Sequence, residues 1–168
     1  MPMLWFNQIK KSAGFTLIEL LVTTSLSLVL AGGALAAYNN FNSQQGFIQT
    51  SKNVIADFER TRSKSLAGEK PASCTSLVGH RVRGTAGSSI YFLSIRCTGA
   101  SPEVEIEQKT LPNGYAFADT FDLLFPPHPS PISTTAQTID ITKTGESRVY
   151  RFVIETSGVI QDVGLVSP

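Results

Sequence analysis

A single carboxylate, Glu19, stands in a run of apolar or small residues that extends from Gly14 to Tyr38. Inside hydrocarbon an unpaired acid costs about 2.5–3.5 kcal/mol at mid-helix, so Glu19 calls for a cationic partner. Cys74 and Cys97 are the other reactive pair, with no CxxC or His-rich spacing beside them, which argues against zinc. They form one disulfide if this part of the chain is exported, and two buried thiols if it stays in the cytosol. His80, beside Arg81 and Arg83, and His128, among prolines, read as ordinary surface residues. Arg148 and Arg151, like Arg81 and Arg83, read as solvated faces. Serine, histidine and aspartate all occur, but without a nucleophile elbow or other triad context. Asp119 and Asp122 are two loop carboxylates without the fuller oxygen cluster that calcium needs. No catalytic residue, metal or cofactor is assigned, and an enzyme is not expected.

The compartment question turns on the elements that carry these residues. Phe15 to Tyr38, as a helix, would be about 36 Å long, enough for a hydrocarbon core of about 30 Å. Lys10 and Lys11 precede it and the next cation is Lys52, a bias that places the N-terminus in the cytoplasm and the rest outside. A plain anchor accounts for length and orientation but not for Glu19. A secretory signal has a cleavage site at Ala34-Leu35-Ala36, and its removal after Ala36 would release a soluble domain. Against it stands the same charge in the apolar region.

The residues "KKSAGFTLIELLV" resemble the leader of type IV pilins and type II secretion pseudopilins. Basic pair, Gly, Phe, Glu and apolar run all fall at that family's offsets. The resemblance implies cleavage after Gly14 by a prepilin peptidase, N-methylation of Phe15, and a role for Glu19 in assembly, where it meets the N-terminal amine of a neighbouring subunit. It also implies a single-pass protein of the inner membrane, its C-terminal domain periplasmic, that joins other pilin or pseudopilin subunits through an assembly platform. In that setting Cys74 and Cys97 are expected as a disulfide stapling the post-helix loop to the "SIYFLSIRC" strand.

Beyond Tyr38 the pattern turns amphipathic. Phe41, Phe47, Ile48, Val54, Ile55, Phe58 and Leu66 recur at helical spacings, with Gln44, Lys52, Asp57 and Arg60 between them. Gly68 and Pro71 signal the end near Ala67. One helix from Phe15 to Ala67 would be about 80 Å long, with Gly32-Gly33 as a soft point. From Ser76 on, "LVGHRVR", "SIYFLSIRC", "EVEIEQK", "FDLLF", "TIDITK" and "RVYRFVIE" read as short strands, and "PPHPSPISTTAQ" as a loop. Val104 and Ile106 alternate with Glu103, Glu105 and Glu107, predicting one buried and one wet face. Tyr150, Phe152 and Ile154 share a face. The expected fold is α+β: a long N-terminal helix packed on an antiparallel β-sheet domain. The parts are a leader, 1–14; a transmembrane half-helix, 15–38; an amphipathic half, 39–68; and a β domain, 69–168.

The late segments Phe125-Pro126, Thr138 to Ile141 and Gly158 to Ile160 are similar to those of H-type minor pseudopilins and related minor pilins, in which a closing strand ends at Gly-x-Ile. That likeness implies a minor structural subunit. A DNA-capturing minor pilin is the competing binding function, and it would need exposed cations. None follows Arg151, and loss of Lys10 and Lys11 takes the formal charge from +1 to −1, so nucleic acid is not the expected partner.

Overall fold

The computed structural model describes residues 14–98, 103–128, 132 and 135–167. Lys10, Lys11 and the rest of the leader before Gly14 lie outside the described residues, as does part of the "PPHPSPISTTAQ" loop. One helix, α1, spans Leu17–Leu66. Thr16 caps it: its Oγ1 accepts the Glu19 N–H at 3.2 Å, and its carbonyl accepts the Leu20 N–H at 3.1 Å. The helix runs unbroken through Gly32 and Gly33, the expected soft point. It stops where Gly68 takes φ +68°, with the Gly68 N–H on the Ser65 carbonyl and the Glu69 N–H on the Lys64 carbonyl. This is the paired closure that satisfies orphan carbonyls at a helix end, and a residue with a Cβ resists that φ.

The chain forms two compact units, the first ending at Asn42 and the second starting at Ser43. In the first, the apolar side chains stand exposed among the described residues: Leu17 is 82% exposed, and Leu20, Leu21, Leu26, Leu28, Val29 and Leu30 are exposed as well. This stretch of α1 is long and apolar enough to cross a membrane.

Among the described residues the second unit holds the rest of α1 and eight strands: β1 (Ser76–Gly84), β2 (Ile90–Thr98), β3 (Glu103–Thr110), β4 (Tyr115–Phe117), β5 (Phe121–Phe125), β6 (Gln137–Lys143), β7 (Val149–Ile154) and β8 (Ile160–Val166). They make two four-stranded antiparallel sheets, ordered β3-β2-β1-β5 and β4-β6-β7-β8. The architecture is α+β, as expected, with two strands beyond those read from the sequence. The closing strand β8 starts at Ile160, so the Gly158-Val159-Ile160 segment opens it; Gly158 itself sits in the preceding turn at φ +80°.

Phe47, Val54, Ile55 and Phe58 of α1 enter one core with Val82, Tyr91, Leu93, Phe121, Leu123 and Phe125 of the first sheet and Ile139, Ile141, Phe152 and Ile154 of the second. Phe58, fully buried, touches both sheets, with ring centroids 5.6 Å from Phe121 and 5.5 Å from Phe152. Phe117 closes the gap between sheets, 5.7 Å from Tyr91 and 4.9 Å from Phe121. Gly84 stands opposite Phe121, and a Cβ there would lie 2.5 Å from that ring, so only glycine admits it. Burial of Tyr150, Phe152 and Ile154 follows their shared face. Phe41 and Leu66 depart from expectation and are exposed. So does Ile106, at 48%: β3 is an edge strand with a register shift against β2 at Leu93/Ser94, and its expected apolar face is not covered.

Candidate functional site

The residues singled out at the leader junction sit just ahead of α1. Gly14, Phe15 and Thr16 are outside any helix, and Phe15 is 80% exposed. A Cβ built on Gly14 meets no atom of the described residues within 4 Å. Glu19 falls at the third position of α1, where a negative charge suits the positive helix terminus. Thr16-Leu17-Ile18-Glu19 is the Thr-x-x-Glu pattern of a capping box, and it was legible in the sequence. Its backbone half is made, by Thr16 Oγ1. The Glu19 carboxylate itself makes no hydrogen bond or ion pair among the described residues.

One turn on, three hydroxyls bond back to the helix. Thr23 Oγ1 donates to the Glu19 carbonyl at 2.8 Å, Thr24 Oγ1 to that of Leu20 at 2.9 Å, and Ser25 Oγ to that of Val22 at 2.9 Å. These bonds let hydroxyls enter an apolar medium at little cost.

In the second unit Cys74 and Cys97 are joined by a disulfide, with Cα atoms 5.5 Å apart. They form a small cluster with Ile95 and Leu77. The bond ties the segment after α1 to the end of β2.

Several of the remaining polar residues are held by one another. Arg81 Nε donates to Asp122 at 2.6 Å, its Nη2 to the other oxygen of that carboxylate, and its Nη1 to Glu103 at 2.8 Å. The bond from Arg81 holds the Asp122 carboxyl below its usual range, and a bond from Ser94 Oγ, at 2.7 Å, does the same for Glu103. Asp122 is thus engaged and is no free calcium donor. Arg151 pairs with Asp140 through Nε at 2.8 Å and Nη2 at 2.7 Å. Arg81 and Arg151 are accordingly not the loose surface cations expected. Asp57 joins α1 to the first sheet, accepting from Tyr91 Oη and from Lys109 Nζ, each at 2.6 Å. Burial first, and then that carboxylate, push the Tyr91 phenol well up from its ordinary value.

His80 is the clear correction. It is 1% exposed, and its Nε2 donates to the Glu69 carbonyl at 2.8 Å, while its N–H bonds to Ser65 Oγ at 3.3 Å. The ring fixes the turn after α1 to β1. His128 is exposed. Among the described residues no three His, Cys, Asp or Glu side chains cluster as a metal site.

Residues 9–35 match the prokaryotic N-terminal methylation motif. The match supports reading this segment as a type IV pilin-like prepilin leader, and the chain as a pilin-like or pseudopilin subunit. Such a motif implies processing by a prepilin peptidase and assembly with other pilins, and with the exposed apolar helix it suggests membrane anchoring. No curated protein and no solved structure matches the chain.

Proposed function

We propose that this chain is a minor pilin or pseudopilin, a structural subunit of a type II secretion pseudopilus or a type IV pilus. It is cut after Gly14 and methylated on Phe15. It waits as a single-pass protein of the inner membrane, with its β domain on the periplasmic side, and then enters a filament through its N-terminal helix. The observation that carries the reading is the pairing of the methylation motif with a half-helix whose apolar side chains are bare within its own unit. Such a surface needs lipid or other helices to cover it. The disulfide fits an oxidising compartment beyond the membrane. Capture of DNA finds less support, since Arg81 and Arg151 are occupied by carboxylates and β8 carries no cation.

In this reading Glu19 meets the cationic amine of a neighbour's Phe15, and the match is good only in one axial register. The test is the mass of the mature N-terminus. A start at methylated Phe15 is expected, and Gly14→Val should leave the precursor at full length. A start at Ala37 would instead support a secretory signal and a released domain.

A further inference from the structure

Lys143 bonds a carbonyl in the interior of a helix. Its Nζ donates to the Ser43 carbonyl of α1 at 3.0 Å and also to Ser43 Oγ. The same ammonium lies 5.7 Å from the centroid of the Tyr115 ring, which packs edge-on against Phe47 at 5.6 Å. Ser43 Oγ in turn donates to Glu146 at 3.4 Å. Lys143 is the last residue of β6 and Glu146 lies in the connection to β7, so one short stretch brings an ammonium and a carboxylate to one point of the helix. That point is the first residue of the second unit.

Lysines ordinarily bond helix carbonyls in the last turn, where those groups have lost their N–H partners. In a continuous helix the Ser43 carbonyl is already the acceptor for the Phe47 N–H, four residues on. Gly46 stands between the two. Nothing steric asks for glycine there: among the described residues a Cβ would meet only Tyr115 Oη, at 3.8 Å, an ordinary contact. Its effect is to weaken the helix relative to alanine.

We propose that α1 carries a latent hinge at Gly46, and that Lys143 and Glu146 are its preformed caps. When the helix opens there, the carbonyls of residues 42–45 lose the N–H groups of residues 46–49. Lys143 already holds one of those carbonyls. Glu146 stands beside the start of the second segment, where a negative charge suits the bared N–H groups. Phe47, 1% exposed, stays in the core, so that segment keeps its seat. Water can reach the break, since Asn42 to Gln45 are polar. Gly32 and Gly33 differ: they lie inside the apolar run, where opening in a membrane would leave backbone groups without any partner. The hinge gives the chain a place to change direction between its two units without disturbing the β domain. It goes beyond the filament reading and stands whether or not the chain is cut after Gly14.

The test is native-state amide hydrogen exchange, resolved to single residues by mass spectrometry, on the full-length chain in lipid nanodiscs. The amides of residues 46–49 should exchange about tenfold faster, or more, than those of residues 32–35 and 54–58. Gly46→Ala should slow them about fivefold, the factor by which alanine exceeds glycine in a helix interior. Lys143→Met decides the role of the cap. The lysine serves the open form more than the closed one, because only opening takes the Phe47 N–H from the Ser43 carbonyl. Its loss should therefore slow exchange at 46–49, by about fivefold for one hydrogen bond, and Lys143→Arg should keep the wild-type rate. A lysine that merely braces the closed helix gives the opposite sign. Faster or unchanged exchange in Lys143→Met, with residues 54–58 as in wild type, would overturn the caps. Amides 46–49 as well protected as 54–58, or indifferent to Gly46→Ala, would overturn the hinge. Gly46→Ala removes no contact, so it tests the hinge even where Lys143→Met unsettles the domain.

Discussion

The ring of Phe58 meets that of Phe152 edge to face, with centroids 5.5 Å apart and planes at 81°. One residue of α1 is thereby bound to the second sheet, and through Phe121 to the first. Phe58→Ala should cost about 3–5 kcal/mol, the range for emptying a large buried aromatic site. Urea unfolding of the detergent-solubilised chain, followed by far-UV circular dichroism, measures this. A loss below about 1 kcal/mol would show that the sheets hold together without the helix.

The disulfide closes a loop between residues 23 apart in sequence. In the chain-entropy model that constrains the unfolded state by about 3 kcal/mol. Paired replacement of Cys74 and Cys97 by serine should lower stability by about that amount. Thiol labelling of periplasmic material, denatured without reductant, should find no reactive thiol. Two reactive thiols per chain would defeat the expectation.

Acid should act through Arg81. Its partners Asp122 and Glu103 are held below their ordinary values of 3.8 and 4.5. A carboxyl depressed by folding stabilises the native state above its unfolded value, and that contribution is lost as pH falls through the folded one. Arg81→Met should therefore be less stable than wild type at pH 6, by about 1 kcal/mol or less given the partial exposure of these pairs. The gap should narrow on titration below pH 4. A gap that holds constant down to pH 3 would assign the loss to packing of the arginine stem.

Glu19→Val should be processed normally and sit in the membrane more easily, because the insertion penalty of the acid is gone. Its presence in purified filaments should fall, with Glu19→Gln intermediate, as it keeps a hydrogen bond without the charge. The quantity to measure is this subunit's abundance relative to its filament partners. Equal incorporation of the valine variant and wild type would remove any assembly role from Glu19.

Periodicity made the second half of α1 and most of six strands legible, because their apolar residues face a continuous core; the first part of α1 was legible from its apolar run. It failed where local sequence and environment part company. Tyr115–Phe117 is only three residues long, too short for alternation to register. Ile160–Val166 is interrupted by Gly164 at φ +89° and by a shift in its pairing with β7. His80 looks like a surface residue between glycine and arginine, yet its partner is a backbone carbonyl eleven residues earlier, which no local pattern reveals. Ile106 alternates as a buried residue should, but nothing covers its side of an edge strand. At the N-terminus the leader signature was plain. The Thr16 cap is carried by its spacing to Glu19, the Thr-x-x-Glu pattern of a capping box.

The bare apolar surface of residues 17–35 also bears on reversibility. A helix leaving lipid for the interior of a filament exchanges one oily surrounding for another, so its many leucines and valines weigh almost equally on both sides of that step. The hydrophobic term largely cancels. What remains to set the direction of transfer is a few polar contacts and the fit of side chains, each worth only a kcal/mol or so. On the proposed function, a subunit built this way can be drawn from the bilayer into a filament by modest work, and the same near-balance makes the step reversible.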